Sequence, residues 1–334
     1  MTNGNSDLKI TDPKPDFVIK NLVELKEALD NSDVPKKVLD KNLVIATWNI
    51  RCFGNLTKKW VAESKDTPKR DYQSLWCIAE IIKRFDVIAI QEVRNNLRAL
   101  RYLLKILGTH WSVIMTDVTL GSDGNYERLA FIFDTRKVQL SGLACELVIP
   151  PEWEKTIDDG AFARQFARTP YAVAFKSKKE TFILTTLHVI YGEKTERKVE
   201  LLNIAKWLAK WSEEINNWGH NLIALGDFNT DRKDDELYQA FVSTGLHVPE
   251  ELDDAPRTLS ADPKKPTTKS FYDQIAWFVD QEKPFLSMEY LNSGYFDFKG
   301  IALKERNYSN TSLSWRISDH FPLWAEFSVE EKFR

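Results

Sequence analysis

The sequence predicts an α/β domain from about residue 41 to residue 334, preceded by an N-terminal extension over residues 1–40 that contains a short helix. The first supporting observation is that short apolar runs alternate with amphipathic stretches throughout this region. The second is that neither a Pro-, Gly- or Ser-rich linker nor an internal repeat divides it. With 334 residues, 43% of them hydrophobic, the chain can bury a sizeable core.

Apolar periodicity predicts the individual elements. Short apolar runs are expected to form strands at residues 43–48, 87–90, 129–133, 182–187, 222–225, 274–278 and 323–327. Apolar residues at helical spacing predict helices at residues 72–84, 97–107 and 196–218, and at 21–29 in the extension. Residues 150–170 and 250–269 are predicted to be long surface loops, which often border the substrate site of an enzyme.

Composition and charge exclude several classes of protein. The fractions of aromatic (12%) and charged (28%) residues argue against disordered and fibrous proteins. A formal net charge of −3 provides no overall basic field, but a nucleic-acid substrate is still possible because a bound cation would supply local positive potential. The three cysteines, Cys52, Cys77 and Cys145, are widely spaced and odd in number, which favours a reducing compartment. The N-terminus is polar and no apolar run approaches ~20 residues, so we expect a cytoplasmic protein without a membrane segment.

Polar residues follow the predicted strands at the points where the strands end. They are Asn49, Glu92, His188, Asp227 with Asn229, and the pair Asp319 and His320. Because open α/β sheets bind ligands at strand ends, these side chains could converge on one site. Each also has a structural interpretation: Asn49 could form a turn, and Glu92 could be an acidic residue at a helix N-terminus.

The segment Gly226-Asp227-Phe228-Asn229 is the most informative of these. If the segment is extended, Asp227 and Asn229 share one face while Phe228 points into the core. Two further acids, Glu127 and Asp273, lie beside apolar runs, where a surface position at the edge of a strand is the alternative.

These residue types suit phosphodiester hydrolysis. Carboxylates such as Glu92 and Asp319 are hard oxygen ligands of the kind that Mg²⁺ prefers, and the metal would polarise a phosphoryl oxygen. A carboxylate and a histidine can share acid and base duties, and a second carboxylate fixes the tautomer of each imidazole.

Seven motifs in the same order resemble those of the endonuclease/exonuclease/phosphatase superfamily, most closely the deoxyribonuclease I-like nucleases. The resemblance spans about residues 43–327, and its motifs are Trp48-Asn49-Ile50-Arg51-Cys52-Phe53-Gly54, Gln91-Glu92-Val93-Arg94, Glu127-Arg128, Leu187-His188, Gly226-Asp227-Phe228-Asn229, Tyr272-Asp273 and Ser318-Asp319-His320-Phe321-Pro322. Each motif is weak alone, but their shared order is specific.

The resemblance implies a four-layered α/β sandwich, in which two mixed β-sheets pack face to face with helices outside. It implies that Glu92 and Asn49, with Asp319, hold Mg²⁺ or Mn²⁺, and that Asp227 and Asn229 orient water and phosphate. His188 paired with Glu127, and His320 paired with Asp273, would contact the scissile phosphate and transfer protons, with the acid and the base not assigned. Substrate contacts are expected from Arg51, Arg94 and Arg168.

The sequence also departs from the family pattern. The cysteines do not match the disulfide positions of the secreted enzyme, and the structural calcium sites have no identifiable counterpart. Gln274 replaces a basic residue, and Val189 follows His188 where a small polar residue is usual, which affects expected substrate contacts but not the hydrolytic centre.

Three functions therefore follow from the sequence as hypotheses. The first is an endonuclease whose partner is DNA. The second is a hydrolase of the same fold that acts on a phosphoinositide, sphingomyelin, RNA or a damaged DNA end. The third, a non-catalytic binding module, is disfavoured because the acids and histidines are all present. The sequence does not indicate a protein partner.

Overall fold

Strand β1 (Asn42–Phe53) is buried on both of its faces. Leu43 and Ile45 contribute to one hydrophobic core, whereas Val44, Ala46 and Trp48 contribute to a second. Because successive residues of a strand point to opposite sides of its sheet, a layer must cover each face of β1. The computed structural model describes residues 8–120, 124–149, 166–216, 221–262, 264–265, 269–280, 283–284 and 286–330.

Two mixed β-sheets pack face to face in these residues. The strand order of the first sheet is β12 (Glu289–Tyr295), β13 (Leu323–Ser328), β1, β2 (Val87–Arg94), β4 (Glu127–Asp134), β3 (Trp111–Met115). That of the second is β11 (Lys283–Pro284), β10 (Asp273–Asp280), β8 (Asn221–Asp227), β7 (Glu180–His188), β6 (Tyr171–Ser177), β5 (Gln139–Glu146), with β9 (Leu246–His247) also paired to β10. The pairs β1–β2 and β7–β8 are parallel, and the other pairs are antiparallel.

Helices cover the outer face of each sheet. Apolar residues of α1 (Asp16–Asp30), α2 (Tyr72–Ile82) and α3 (Arg98–Leu107) pack against the first sheet and form the second core with it. Apolar residues of α4 (Lys194–Asn216) and α5 (Glu236–Val242) pack against the second sheet. A short helix, α6 (Asn310–Ser314), precedes the Ser318-Asp319-His320 motif. The four-layered α/β sandwich implied by the resemblance is therefore present.

The predicted strands and helices are confirmed over the described residues, with longer boundaries in most cases, and residues 217–218 of the helix predicted at 196–218 lie outside those residues. The predicted helix at residues 21–29 extends over Asp16–Asp30; its Val18, Leu25 and Leu29 are buried, and Asn21 Nδ2 donates to the carbonyl of Ile301 at 3.0 Å. The division into an extension and a domain remains a prediction. Among the described residues, no helix combines the length and the apolar character that a bilayer crossing requires.

The prediction of a surface loop at residues 250–269 is wrong for its first half. Leu252, Ala255 and Arg257 are buried, and Thr258 forms a β-bridge with His320. The segment can be buried because Arg257 donates hydrogen bonds to backbone carbonyls inside the protein. The Pro- and Asp-rich composition of the segment does not reveal these bonds. Residues 150–165 of the other predicted loop lie outside the described residues.

Candidate active site

Strand register brings three of the predicted residues together at one edge of the second sheet. His188, the last residue of β7, is the parallel partner of Asp227, the last residue of β8. Asp227 is in turn the antiparallel partner of Asp273, the first residue of β10. The second histidine, His320, lies in the segment between α6 and β13 and is held by a β-bridge to Thr258. Residues far apart in the sequence thus lie side by side.

Gly226 permits the close approach of β7 and β8 at this edge. Its φ is +145°, and a Cβ atom at this position would lie 2.1 Å from the carbonyl oxygen of Leu187. Only glycine accommodates both the left-handed φ and the contact with the neighbouring backbone. The glycine therefore sets the spacing of His188 and Asp227.

The carboxylate of Asp227 is at the centre of the predicted site. Its Oδ2 accepts a hydrogen bond from Asn49 Nδ2 at 2.9 Å, and it lies 3.7 Å from His188 Nε2 and 4.0 Å from His320 Nε2. Its Oδ1 accepts the backbone N–H of Asn229 at 2.9 Å. Both imidazoles and an amide from the first sheet therefore face one buried oxygen.

His188 is held from behind by a buried carboxylate. His188 Nδ1 lies 2.9 Å from Glu127 Oε2, and the same oxygen lies 2.8 Å from Arg168 Nε. Arg94 Nη2 lies 3.3 Å from the other oxygen of Glu127. Burial opposes the charge of Glu127, but His188, Arg168 and Arg94 outweigh it and lower the pKa of this carboxyl group. The carboxylate thus fixes the imidazole so that Nε2 faces Asp227.

His320 is held in the same way. Its Nδ1 lies 2.6 Å from Asp273 Oδ2, and Asp273 is fully buried. Burial disfavours the charged imidazolium, but the carboxylates of Asp273 and Asp227 outweigh burial and raise the pKa of His320 above its ordinary value. Both carboxylate–imidazole pairs expected from the sequence are formed.

Bulges in the first sheet lie at two of the remaining candidates, Asn49 and Glu92. The pairing of β1 with β2 shifts register between Asn49 and Phe53, and that of β2 with β4 shifts between Ile90 and Val93. Glu92 lies in the second bulge with a φ of +61°, and its Oε2 accepts the backbone N–H of Cys52 at 2.8 Å. Bulges next to active sites commonly redirect a side chain in this way.

The residues predicted to hold a divalent cation offer suitable donors. Asn49 Oδ1 and Asp319 Oδ1 are buried and have no hydrogen-bond partner among the described residues. These two atoms and the Glu92 carboxylate are oxygen donors of the type that suits Mg²⁺. A second group, Asp227, Asp273 and His320, has ligand-type atoms within 4.8 Å of one another. Since Asp273 and His320 are already hydrogen-bonded to each other, we interpret that group as a proton-transfer unit.

Several residues that position the site were missed from the sequence. Ser318 Oγ donates to the carbonyl of Asn49 at 2.6 Å and accepts the N–H of His320 at 3.1 Å, which ties the two motifs together. Arg70 is buried and donates to the carbonyls of Arg51, Cys52, Arg316 and Ile317. It thereby joins β1 to the segment before Ser318.

Arg257 supports the opposite side of the site. It is fully buried, its Nε donates to the carbonyl of Asp273 at 2.8 Å, and its Nη1 donates to the carbonyls of Leu252 and Ala255. Burial lowers the pKa of Arg257 to about 10, so the guanidinium stays charged at neutral pH. No sequence signal identified it, because an arginine in a polar segment is usually exposed.

The three arginines predicted to contact substrate differ in environment. Arg168 is buried and binds Glu127, so in this structure it supports the His188 pair. Arg94 is partly exposed between Glu92 and Glu127. Arg51 Nη1 lies 3.4 Å from Asp319 Oδ2 and donates to Ser314 Oγ at 2.8 Å.

The expected extended conformation at Asn229 is wrong. β8 ends at Asp227, and Asn229 has a left-handed φ of +49°, so the two side chains do not alternate along a strand. Asn229 Nδ2 donates to the carbonyl of Val189 at 2.7 Å. The amide thus fixes the loop after His188. Phe228 is buried in the core, as predicted.

The chain matches the model of the Endonuclease/Exonuclease/phosphatase family over residues 46–281. The comparison with curated proteins found no match. The structure is similar to a mannosyl-6-phosphatase from Bacteroides thetaiotaomicron VPI-5482 (TM-score 0.56, 20% identity, 85% of this chain and 99% of that one). It is also similar to D. rerio TDP2 complexed with single strand DNA product (0.54, 16%, 86% and 98%) and to the human Nocturnin catalytic domain (0.52, 17%, 86% and 94%). At these identities the similarity shows the fold alone.

Proposed function

The chain belongs to the endonuclease/exonuclease/phosphatase family, and from that premise we propose that it is a divalent-metal-dependent phosphodiester hydrolase that cuts DNA. The observation that carries the proposal is the environment of Asp227 Oδ2, which is faced by Asn49 Nδ2 and by the Nε2 atoms of His188 and His320. Each imidazole has a buried carboxylate on its other nitrogen. A structural core seldom collects so many ionisable groups unless their chemistry is used.

In the proposed reaction, a water oxygen forms a bond to phosphorus and the bond from phosphorus to the leaving oxygen breaks. The water must lose one proton, and the leaving oxygen must gain one. Asp227 orients the water, while His188 and His320 present Nε2 to the phosphate and exchange these protons. Glu127 and Asp273 keep both rings in the required orientation, because each binds the Nδ1 atom of its ring.

Asn49, Glu92 and Asp319 would hold Mg²⁺ or Mn²⁺. When bound, the ion would polarise a phosphoryl oxygen and neutralise charge that develops during hydrolysis. The unpartnered oxygens of Asn49 and Asp319 support this ligand set. Chelation should therefore abolish activity.

Cationic side chains beside the site favour DNA as the substrate. Arg94 lies beside Glu92, and the adjoining segment at the start of α3 presents Arg98 and Arg101 around a polar pocket. Arginines of this kind bind the phosphates that flank a cleaved bond. TDP2, one of the proteins of similar fold, has been solved with a single-stranded DNA product.

A phosphatase that acts on a small phosphate ester is the second candidate, because one protein of similar fold is a mannosyl-6-phosphatase. The discriminating experiment supplies purified protein with supercoiled plasmid, linear and single-stranded DNA, RNA, inositol phosphates and mannose 6-phosphate. Each substrate is incubated with Mg²⁺, Mn²⁺ or EDTA.

Plasmid nicking in either metal and none in EDTA is the expected result. Release of inorganic phosphate from a small ester without nicking would select the phosphatase. Absence of hydrolysis from the whole panel would favour a binding module.

A further inference from the structure

Trp315 is exposed beside the candidate site although its backbone is firmly held. It follows α6 directly and precedes Asp319 by four residues. The side chain is 43% exposed, and the guanidinium of Arg51 lies 3.8 Å from its ring centroid. One face of the indole is therefore covered by a cation while much of the ring remains accessible.

Arg51 connects this ring to a proposed metal ligand. Its Nη1 donates to Ser314 Oγ at 2.8 Å and lies 3.4 Å from Asp319 Oδ2. The planar guanidinium can stack on the ring while its N–H groups bind these oxygens. The position of the indole is thus coupled to the carboxylate of Asp319.

The segment that carries Trp315 is anchored on both sides. Arg70 donates to the carbonyls of Arg316 and Ile317, and Arg316 Nη1 donates to the carbonyl of Ser312 at 2.8 Å. Leu313 and Ile317 are buried in the core. Because the segment that carries the ring is already held in place, the protein would lose little conformational freedom when a ligand stacks on it.

A single exposed aromatic residue needs no explanation by itself. Trp315 differs because it is stacked on a cation, lies in an anchored segment, and is linked through Arg51 to Asp319, a proposed metal ligand. We propose that Trp315, backed by Arg51, is a stacking platform for a nucleobase next to the cleaved phosphodiester. The inference rests on the proposed hydrolase function and makes the substrate a nucleic acid, whose bases offer a flat π-face that stacks on an indole.

The test compares a single-stranded oligonucleotide with a series in which one nucleotide after another is replaced by an abasic residue. Dissociation constants in EDTA, from fluorescence anisotropy, and kcat/KM in Mg²⁺ are measured for the wild type, Trp315→Ala and Trp315→Phe. Leu291→Ala is the matched control, because Leu291 is 47% exposed on β12. Thermal unfolding verifies that each variant is folded.

For the wild type, removal of the stacked base should weaken binding and lower kcat/KM by about 5- to 100-fold. Trp315→Ala should show the same loss on the intact oligonucleotide and little further loss on the abasic one, whereas Trp315→Phe and Leu291→Ala should resemble the wild type. Equal effects of Trp315→Ala on intact and abasic oligonucleotides, or no effect on either, would refute the platform. If the wild type cleaves no phosphodiester, the hydrolase proposal fails separately, and the dissociation constants still decide the platform.

Discussion

His188 Nδ1 lies 2.9 Å from Glu127 Oε2, and the two side chains are 6% and 1% exposed. Glu127 comes from the first sheet and His188 from the second, so the contact joins the two halves of the sandwich at the candidate site. Because Nδ1 is occupied, only Nε2 can face Asp227 and a substrate. The orientation of the imidazole therefore depends on a residue that need not touch the phosphate.

Glu127→Gln should lower kcat for phosphodiester hydrolysis by about 10²- to 10⁴-fold. The amide can present a donor to Nδ1, so the tautomer of His188 is no longer fixed, and Arg168 loses its counter-charge. Plasmid nicking measures the effect. Glu80→Gln is the control because Glu80, on α2, forms a partly exposed ion pair with Lys83. A Glu127→Gln enzyme with wild-type kcat would show that the pair does not orient the ring.

Gly226→Ala should destabilise the protein by more than about 3 kcal/mol or prevent folding. The new methyl group would meet the Leu187 carbonyl, and φ at this position is +145°. Gly142→Ala is the control, since Gly142 has a φ of +96° but no atom within 4 Å of the added Cβ. Strain alone should cost about 1–2 kcal/mol there. Urea unfolding compares the two, and similar losses would contradict the close approach of β7 and β8.

Glu200→Gln should stabilise the protein at alkaline pH but not at acidic pH. Burial raises the pKa of the Glu200 carboxyl from 4.5 to about 7, despite opposition from Arg168 and from the backbone N–H groups of Ala167 and Ile190. Because the folded pKa exceeds the unfolded one, Glu200 lowers the free energy of unfolding as pH rises from about 4.5 to 7.

Glutamine has no charge to bury, so Glu200→Gln should gain about 1–3 kcal/mol over the wild type at pH 8 and almost nothing at pH 4.5. Urea unfolding at both pH values measures the difference. A gain of equal size at both pH values would indicate that ionisation of Glu200 is not the cause.

Most strands that are long, apolar and buried on both faces could be predicted, although β6, which is also largely buried, was missed. The runs that became β1, β2, β7 and β8 have this character. Strands such as β5 and β12 were missed because many of their residues are partly or fully exposed, so their sequences carry little apolar signal.

The candidate site could be predicted where its reactive side chains lie at the ends of predicted strands. His188 and Asp227 follow apolar runs directly, so topology alone brings them together. Arg70 and Arg257 could not be found in this way, because their partners are backbone carbonyls that only the folded chain assembles. The left-handed conformation of Asn229 was missed for a similar reason: it depends on a turn stabilised by the Asp227 side chain.

The most direct test of the central claim is the rate at which supercoiled plasmid is nicked in Mg²⁺ by the wild type, His320→Ala and His247→Ala. His320 Nδ1 binds Asp273 at the site, whereas His247 is exposed on β9 and serves as the control. The account predicts nicking by the wild type and His247→Ala, and a rate about 10²- to 10⁴-fold lower for His320→Ala. A folded His320→Ala protein that nicks plasmid as fast as the wild type would contradict it.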